Sequence, residues 1–300
     1  MPHARLTARE YKLLLNPDHF EGRYPGEAVT GFWDDELKAI INRHLGRRDA
    51  DEPRSEGAFE PAEERRIRFW DTASHLLTRC DYSLRERSPV VENDQEEPDH
   101  ELSLKLRTPD LFIATAAAER AVEDHNRISF EEDIAPLAMS EVDGRGNRKV
   151  TIADPPSIRS RFSMSLRQVI TARNPLDRLG HLLDRFPGLA ERLGSISERT
   201  VRRDAALIHG PEMRERCFEG AAVRLGDSVK ASFTFTLWYP EEALTTPRVA
   251  EISFRYRAPE KEITDRVPRR ALTLFTHMQK DLGKLVNLRD SSKTVLALPK

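Results

Sequence analysis

Only two of the 300 residues are cysteines, Cys80 and Cys217. That is too few for a disulfide framework and lacks the four-ligand spacing of a structural zinc site. No apolar run approaches the ~18 residues that a membrane-crossing helix requires, and no leader-like hydrophobic segment opens the chain. The expected compartment is therefore the cytosol, with no membrane partner. Net charge is lacking too, because 48 Lys and Arg stand against 50 Asp and Glu for a balance of -2. No overall field draws such a chain to nucleic acid, so any anion site has to come from local clustering of basic side chains. The nine histidines show no i, i+4 pair that would place two on one helical face as metal ligands. They are read as surface or core residues, His181 and His277 included. Gly144-Arg145-Gly146 lacks the Gly-Lys-Ser/Thr ending of a phosphate-cradling loop and is read as a plain turn.

What remains is a chain with 38% hydrophobic and 33% charged residues, enough for a real core inside a heavily charged exterior. Closed β architectures reach ~200–250 residues as one unit. Residues 1–300 are accordingly read as a single domain with insertions. The stretch Gly46 to Glu64, acidic, poor in aromatics and broken by Pro53 and Pro61, reads as a flexible surface loop.

Alternation of large and small or polar residues predicts strands at Thr7 to Leu15, Arg65 to Asp71, Tyr82 to Arg87, Glu101 to Arg107, Ile128 to Leu137 and Ile158 to Ile170. Further strands are expected at Thr200 to Ile208, Arg216 to Leu225, Val229 to Tyr239 and Arg248 to Arg257. Helices are expected around Phe32 to His44, Thr115 to Asp124, Pro175 to Leu193 and Arg269 to Val286. The acidic run Glu92 to Asp99 reads as a solvated hairpin loop.

The strands carry more than a fold class. Successive side chains on a strand point to opposite faces, so Ser83, Arg85 and Arg87 share one side while Tyr82 and Leu84 share the other. Ser103, Lys105 and Arg107 likewise oppose Leu102, Leu104 and Leu106. One such strand is ordinarily the solvent face of a half-buried sheet. Several of them, together with isolated acids such as Glu10 and Glu251, point instead to basic faces converging inside a barrel, where a bound polyanion or metal would offset the repulsion.

These residues resemble the CYTH superfamily of triphosphate tunnel metalloenzymes. Asp71-Thr72, the stretch Leu76 to Arg87 (LLTRCDYSLRER) and the Leu-Ser-Leu-Lys run that follows fall in the order of that family's motifs. Ala8-Arg9-Glu10-Tyr11-Lys12 occupies the place of its ExExK signature, Glu251 to Arg255 that of its late acidic strand, and Ser292-Lys293-Thr294 that of its closing Ser-Lys motif. The resemblance implies an α+β fold: a closed antiparallel β-tunnel of about eight strands with flanking helices. It further implies phosphate contacts from Lys12, Arg85, Arg87, Lys105, Arg107 and Lys293, with Arg161 and Arg203 as less certain additions. Glu10 and Glu251 would hold Mg²⁺ or Mn²⁺, and Glu10 and Lys12 would serve catalysis. Ala8, Ser253 and Arg255 depart from the family's acidic pattern, which leaves carboxylates for one ion rather than two. Glu131, Glu132 and Asp133 could add ligands, two of them on one strand face and the third opposite.

The expected activity is metal-dependent hydrolysis of an inorganic, organic or nucleoside triphosphate, since positioning and electrostatics carry most of phosphoryl transfer. A tunnel that binds a nucleotide or RNA 5′-triphosphate without turnover is the alternative. Leu189 to Asp204 (LAERLGSISERTVRRD) also resembles a helix-turn-helix, but its turn is one residue too long and the chain lacks net positive charge, which argues against duplex DNA as the partner. An exposed apolar flank could pair two tunnels as a homodimer.

Overall fold

The alternation read from the sequence closes on itself. In the computed structural model, which describes residues 5–46, 54–90, 99–121, 127–142, 148–171, 176–197, 201–226, 228–257, 263–288 and 293–299, nine strands form a ring. They are β1 (Ala8–Leu15), β2 (Glu60–Thr72), β3 (Tyr82–Pro89), β4 (His100–Thr108), β5 (Arg127–Pro136), β6 (Ile158–Ile170), β7 (Met213–Glu219), β8 (Val229–Pro240) and β9 (Val249–Arg257). The order around the ring is β2-β3-β4-β6-β5-β1-β9-β8-β7, with β7 returning to β2. Every neighbouring pair is antiparallel except β1 and β5, which run parallel with Ala8 opposite Glu131 and Glu10 opposite Asp133. The ring closes with nine strands rather than about eight, because β2 pairs with β3 on one edge and β7 on the other.

The barrel is polar inside and apolar outside, so its outer face needs cover. On β1, β8 and β9 the outward residues Tyr11, Leu13, Phe235, Leu237, Ile252 and Phe254 are buried. They are covered by α1 (Pro25–Phe32), α2 (Lys38–Leu45) and, late in the chain, a 16-residue helix at Arg266–Asp281. Tyr11 stacks on Phe254 with ring centroids 4.7 Å apart. On the opposite flank Leu84, Leu104, Leu106 and Leu166 lie under helices at Leu111–Ala121, Leu179–Arg185 and Pro187–Ser197. Each large side chain so buried contributes ~1.5–3 kcal/mol, so the helices hold the lumen open from outside by covering what it turns outward.

Inside, one end is plugged. Ile67, Phe69, Met213, Trp238 and Val249 form an apolar cluster with Ala297 of the terminal helix Lys293–Ala297. That helix comes so close that a Cβ on Gly210 would stand 2.1 Å from the Ala297 carbonyl oxygen.

Several boundaries differ from expectation. The first helix begins at Pro25 and passes through a π-turn at Trp33–Leu37 before α2. Within 46–64, Ser55–Glu56 pairs with a short strand at Ala222–Gly226, and β2 already starts at Glu60; residues 47–53 lie outside the described residues. The helix expected from Pro175 to Leu193 is two helices, separated at Phe186 where Pro187 starts the second. The strand expected over Arg216 to Leu225 is divided because Gly220 turns the chain at φ 106°. The strand expected at Thr200 to Ile208 shrinks to Leu207–His209, and residues 201–206 are not helical, so no recognition helix forms there among the described residues. The last long helix spans Arg266–Asp281, not Arg269 to Val286. The segments read as the hairpin loop at Glu92 to Asp99 and the turn at Gly144 to Gly146 lie mainly or wholly outside the described residues. No described helix is long and apolar enough to cross a membrane.

Asp71 ties β2 to β3. Its buried carboxylate accepts hydrogen bonds from the amides of Thr72, Leu77 and Thr78 and from the Thr78 hydroxyl, at 2.7–3.0 Å. These fix the turn that sets the register of Arg85 and Arg87. Asp71→Ala strands those donors and is expected to lower the free energy of unfolding by about 3 kcal/mol in urea titration; a loss within ~0.5 kcal/mol would show the turn to be held by other contacts.

Candidate functional site

The inward faces of most of these strands carry charge. At mid-depth β1 contributes Glu10 and Lys12, β4 contributes Lys105 and Arg107, and β5 contributes Glu131 and Asp133. Asp133 is the hub: its Oδ1 accepts from Lys12 Nζ at 2.9 Å, while Oδ2 faces Lys105 Nζ at 3.0 Å and Arg107 Nε at 2.9 Å. Lys12 also meets Glu10 Oε2 at 2.8 Å. Burial alone would raise the Asp133 carboxyl, but Lys105, Lys12 and Arg107 outweigh it and hold the group well below the usual aspartate range. Glu10 is likewise lowered, burial being outweighed chiefly by Lys12. Lys105 fares differently, because burial, reinforced by Lys12 and Arg107 and only partly opposed by Asp133, brings its ammonium down to about 8.

The parallel β1–β5 pair explains where the acids come from. Ala8 stands where a first glutamate was looked for, and its neighbour across the ladder is Glu131. Glu10 is likewise beside Asp133, so the neighbouring strand supplies the carboxylates that β1 lacks. Arg255, in place of an acid on β9, pairs with Glu131 at 2.8 Å. Glu132, between them in sequence, faces the other way and is held by Arg9 and Ser160. Oxygens of Glu10, Glu131 and Asp133 lie within 4.8 Å of one another, a hard-donor group of the kind that suits a divalent cation. Glu251 is separate from it, bound to Lys293 Nζ at 2.7 Å. A second group, His44, His277 and Asp281, lies on the helical exterior, with the two imidazole rings stacked 3.5 Å apart. His277 and Asp281 are the i, i+4 pair; a search for histidine pairs alone passes over it.

A second basic group lies beside the plug, where Arg85 and Arg87 stand across the ladder from Phe69 and Ile67. Arg85 and Arg87 on β3 approach Arg167 on β6, with Glu215 of β7 and Glu101 of β4 as the acids nearby. Arg87 contacts Glu101 and Glu215 at 3.2 Å each, although the Glu215 contact is not aligned as a hydrogen bond. Glu215 also accepts from Trp238 Nε1 at 3.0 Å. Arg85 has no carboxylate at ion-pair distance among the described residues, and its buried Nε makes no hydrogen bond. Burial and the repulsion of Arg87 and Arg167 push its guanidinium down to about 9, a measure of how unfavourable its charge is without an anion beside it.

The structure thus places Glu10, Lys12, Arg85, Arg87, Lys105, Arg107, Arg161 and Glu251 on the strands of one closed ring, with Lys293 of the terminal helix against Glu251. Lys12, Arg107, Asp133, Arg159, Arg161, Glu251 and Lys293 border a cavity of about 600 Å³ at the end that the terminal helix partly fills. Arg203 does not join them. It lies on the surface beside Asp184 and the Gly180 carbonyl, because the segment that carries it turns outside the ring. Arg159, Arg167, Glu101 and Glu215 were not singled out from sequence, although the alternation Arg159-Arg161-Ser163-Ser165-Arg167 repeats the pattern already seen on β3 and β4.

No protein-family model matches the chain, and no curated protein does. Three solved structures share its general course at low identity. A candidate adenylyl cyclase from Hippeastrum, described as having a dominant triphosphatase activity, is 14% identical over 97% of this chain and 94% of that one, with a TM-score of 0.40. A candidate adenylate cyclase from Bacillus halodurans is 9% identical over 94% and 93%, at 0.34. The PH1819 protein from Pyrococcus horikoshii is 10% identical over 96% and 98%, at 0.33. At that distance the likeness bears no weight for activity, which has to come from the site itself.

Glu215 yields a pH dependence. Burial would raise its carboxyl, yet Arg87, Arg85 and Lys293 bring it from 4.5 down to about 2. A depressed carboxylate stabilises the fold above its unfolded pKa and loses that contribution as pH falls through the folded value. Wild type should therefore lose stability more steeply than Glu215→Gln between about pH 5 and 2, read by urea unfolding. Parallel acid limbs would mean that Glu215 is not held by those cations.

Proposed function

We propose that the lumen binds a triphosphate and hydrolyses it with Mg²⁺ or Mn²⁺. The observation that carries this reading is Arg85: a buried guanidinium without an ion-pair partner among the described residues, flanked by two further arginines, inside a closed barrel. Such a group is stabilised by an anion that brings several oxygens at once. Arg offers a bidentate fork and Lys a point charge; the inner face of β3 carries two arginines and that of β4 a lysine and an arginine. The order of the motifs that resemble the CYTH superfamily supports the same reading.

In this assignment Arg85, Arg87, Lys105 and Lys293 grip the phosphates, Arg107 and Arg161 receive them at the mouth, and Lys12 neutralises the transferring group. Glu10, with Glu131 and Asp133, holds the divalent ion, while Glu251 keeps Lys293 in place. A divalent ion held by these carboxylates would supply positive charge against the charge that develops on the transferring group. Its binding and that of the ligand are linked. Each lumen carboxylate is now neutralised by a lysine or arginine, and those cations can turn to phosphate when the carboxylate gains another counter-charge or is itself made neutral.

Two substitutions separate binding from turnover. Arg85→Glu places a negative charge at the deep anion position and is expected to weaken tripolyphosphate binding by at least about a hundredfold, as measured by calorimetry, with the circular dichroism unchanged. Glu10→Gln is expected to reduce Mn²⁺-dependent phosphate release at least about a hundredfold while changing ligand affinity less than fivefold. Unaltered binding in Arg85→Glu removes the lumen as the ligand site. Tight binding by the wild type without phosphate release under any divalent ion leaves a binding module and removes the hydrolase.

A further inference from the structure

The mouth of the lumen has two walls of opposite chemistry. Towards the interior stand Lys12, Arg107 and Lys293. With them are the acids Asp133 and Glu251, and the remaining lining includes Leu14, Leu137, Val150 and Leu288, drawn from the end of β1, from just past β5, from the stretch after the long helix and from a hairpin, Ala138–Val142 with Arg148–Ile152, that continues beyond β5. The cavity between them, about 600 Å³, falls in the ~300–1,000 Å³ range of clefts that enclose organic ligands. A bare phosphate chain is anionic along its whole length and gains nothing from an apolar wall. Leu137 is nonetheless left 36% exposed there, so the wall is bare where a ligand's uncharged part would reach.

The seam between the walls is made by Arg159 and Arg161, two residues apart on β6 and therefore on one face. Both line the cavity. A guanidinium is planar and stacks on aromatic faces, which a lysine in its place would not do. Arg159 is also crowded by Arg161 and Arg107, and this repulsion together with its burial depresses its pKa.

Resting on the triphosphate reading above, we infer that the ligand is a triphosphate ester of a flat aromatic group, of nucleoside type, and not inorganic triphosphate. The ring lies against Leu137, Val150 and Leu288 with Arg159 or Arg161 on its face, and the phosphates run inward past Lys12 to Lys105 and Arg85. These wall residues determine which triphosphate is chosen, while the lumen determines that a triphosphate is bound.

The test compares inorganic imidotriphosphate with the β,γ-imido analogues of the common nucleoside triphosphates, none of which can be cleaved at the imido bridge. Titration calorimetry is run on the full chain with Mn²⁺. At least one nucleotide analogue is expected to bind about tenfold tighter than imidotriphosphate. The Leu137→Ser, Val150→Ser double variant should cut that nucleotide affinity about tenfold and leave imidotriphosphate within about twofold, because it removes apolar area without adding charge. If circular dichroism shows that the double variant fails to fold, Leu288→Ser supplies the same comparison. Imidotriphosphate binding as tightly as every nucleotide, or equal weakening of both ligands in the variant, overturns the inference and leaves the lumen reading intact. Failure of every triphosphate to bind overturns the lumen reading, and this inference with it.

Discussion

The rest of this structure depends on an excess of positive charge enclosed in a ring of strands. Lys12, Arg85, Arg87, Lys105, Arg107, Arg161, Arg167 and Arg255 line the inner wall, and among the described residues Glu10, Glu101, Glu131, Asp133, Glu215 and Glu251 oppose them. Like charges at such spacing repel more strongly the less water lies between them. The acids do not cancel this charge; they distribute it, as Asp133 does with three cations at once. Arg85 is where the distribution fails.

That constraint dictates the outer architecture. A strand whose inner face is charged has only its outer face left for hydrophobic residues, so the driving force for folding is displaced to the barrel's exterior. Two separate helical layers, packed against β1, β8 and β9 on one flank and against β3, β4 and β6 on the other, supply it. Trp33, Phe233, Phe254 and Phe275 are all fully buried outside the ring, not within it. The helices therefore offset the electrostatic strain of the lumen although none touches its centre.

How far this was legible in the sequence follows from the same physics. Period-two alternation on Tyr82 to Arg87, Glu101 to Arg107 and Val229 to Tyr239 survives in any tertiary context, because a strand has only two faces, and all three form strands, the first two with the faces the alternation assigns. What alternation cannot reveal is which strands become neighbours. Ala8 looked like a lost ligand because the carboxylate beside it, Glu131, is more than a hundred residues away and arrives through a parallel pairing that no local pattern announces. Arg203 was misplaced for the complementary reason. Its basic run has the composition of the lumen strands, but the chain there is spent on a turn before Leu207 begins to pair. The break at Gly220, by contrast, was marked by a residue able to adopt φ 106°, and reading that glycine as a turn would have divided the strand correctly.

The terminal helix links the two ends of this logic. Ala297 completes the apolar plug with Trp238 and Met213, and four residues earlier Lys293 reaches Glu251 while its ammonium lies 5.0 Å above the Trp238 ring. The same indole donates to Glu215, the acid that faces Arg87 at the other basic group. One short segment thus adds to the apolar plug and, through a single tryptophan, shares an electrostatic network with the neighbouring arginines. Excluding water is what makes the enclosed charges strong, since the interaction between fixed charges scales inversely with the local dielectric. Loosening the plug should therefore weaken the hold on an anion at Arg85, whose cross-strand neighbour Phe69 belongs to it.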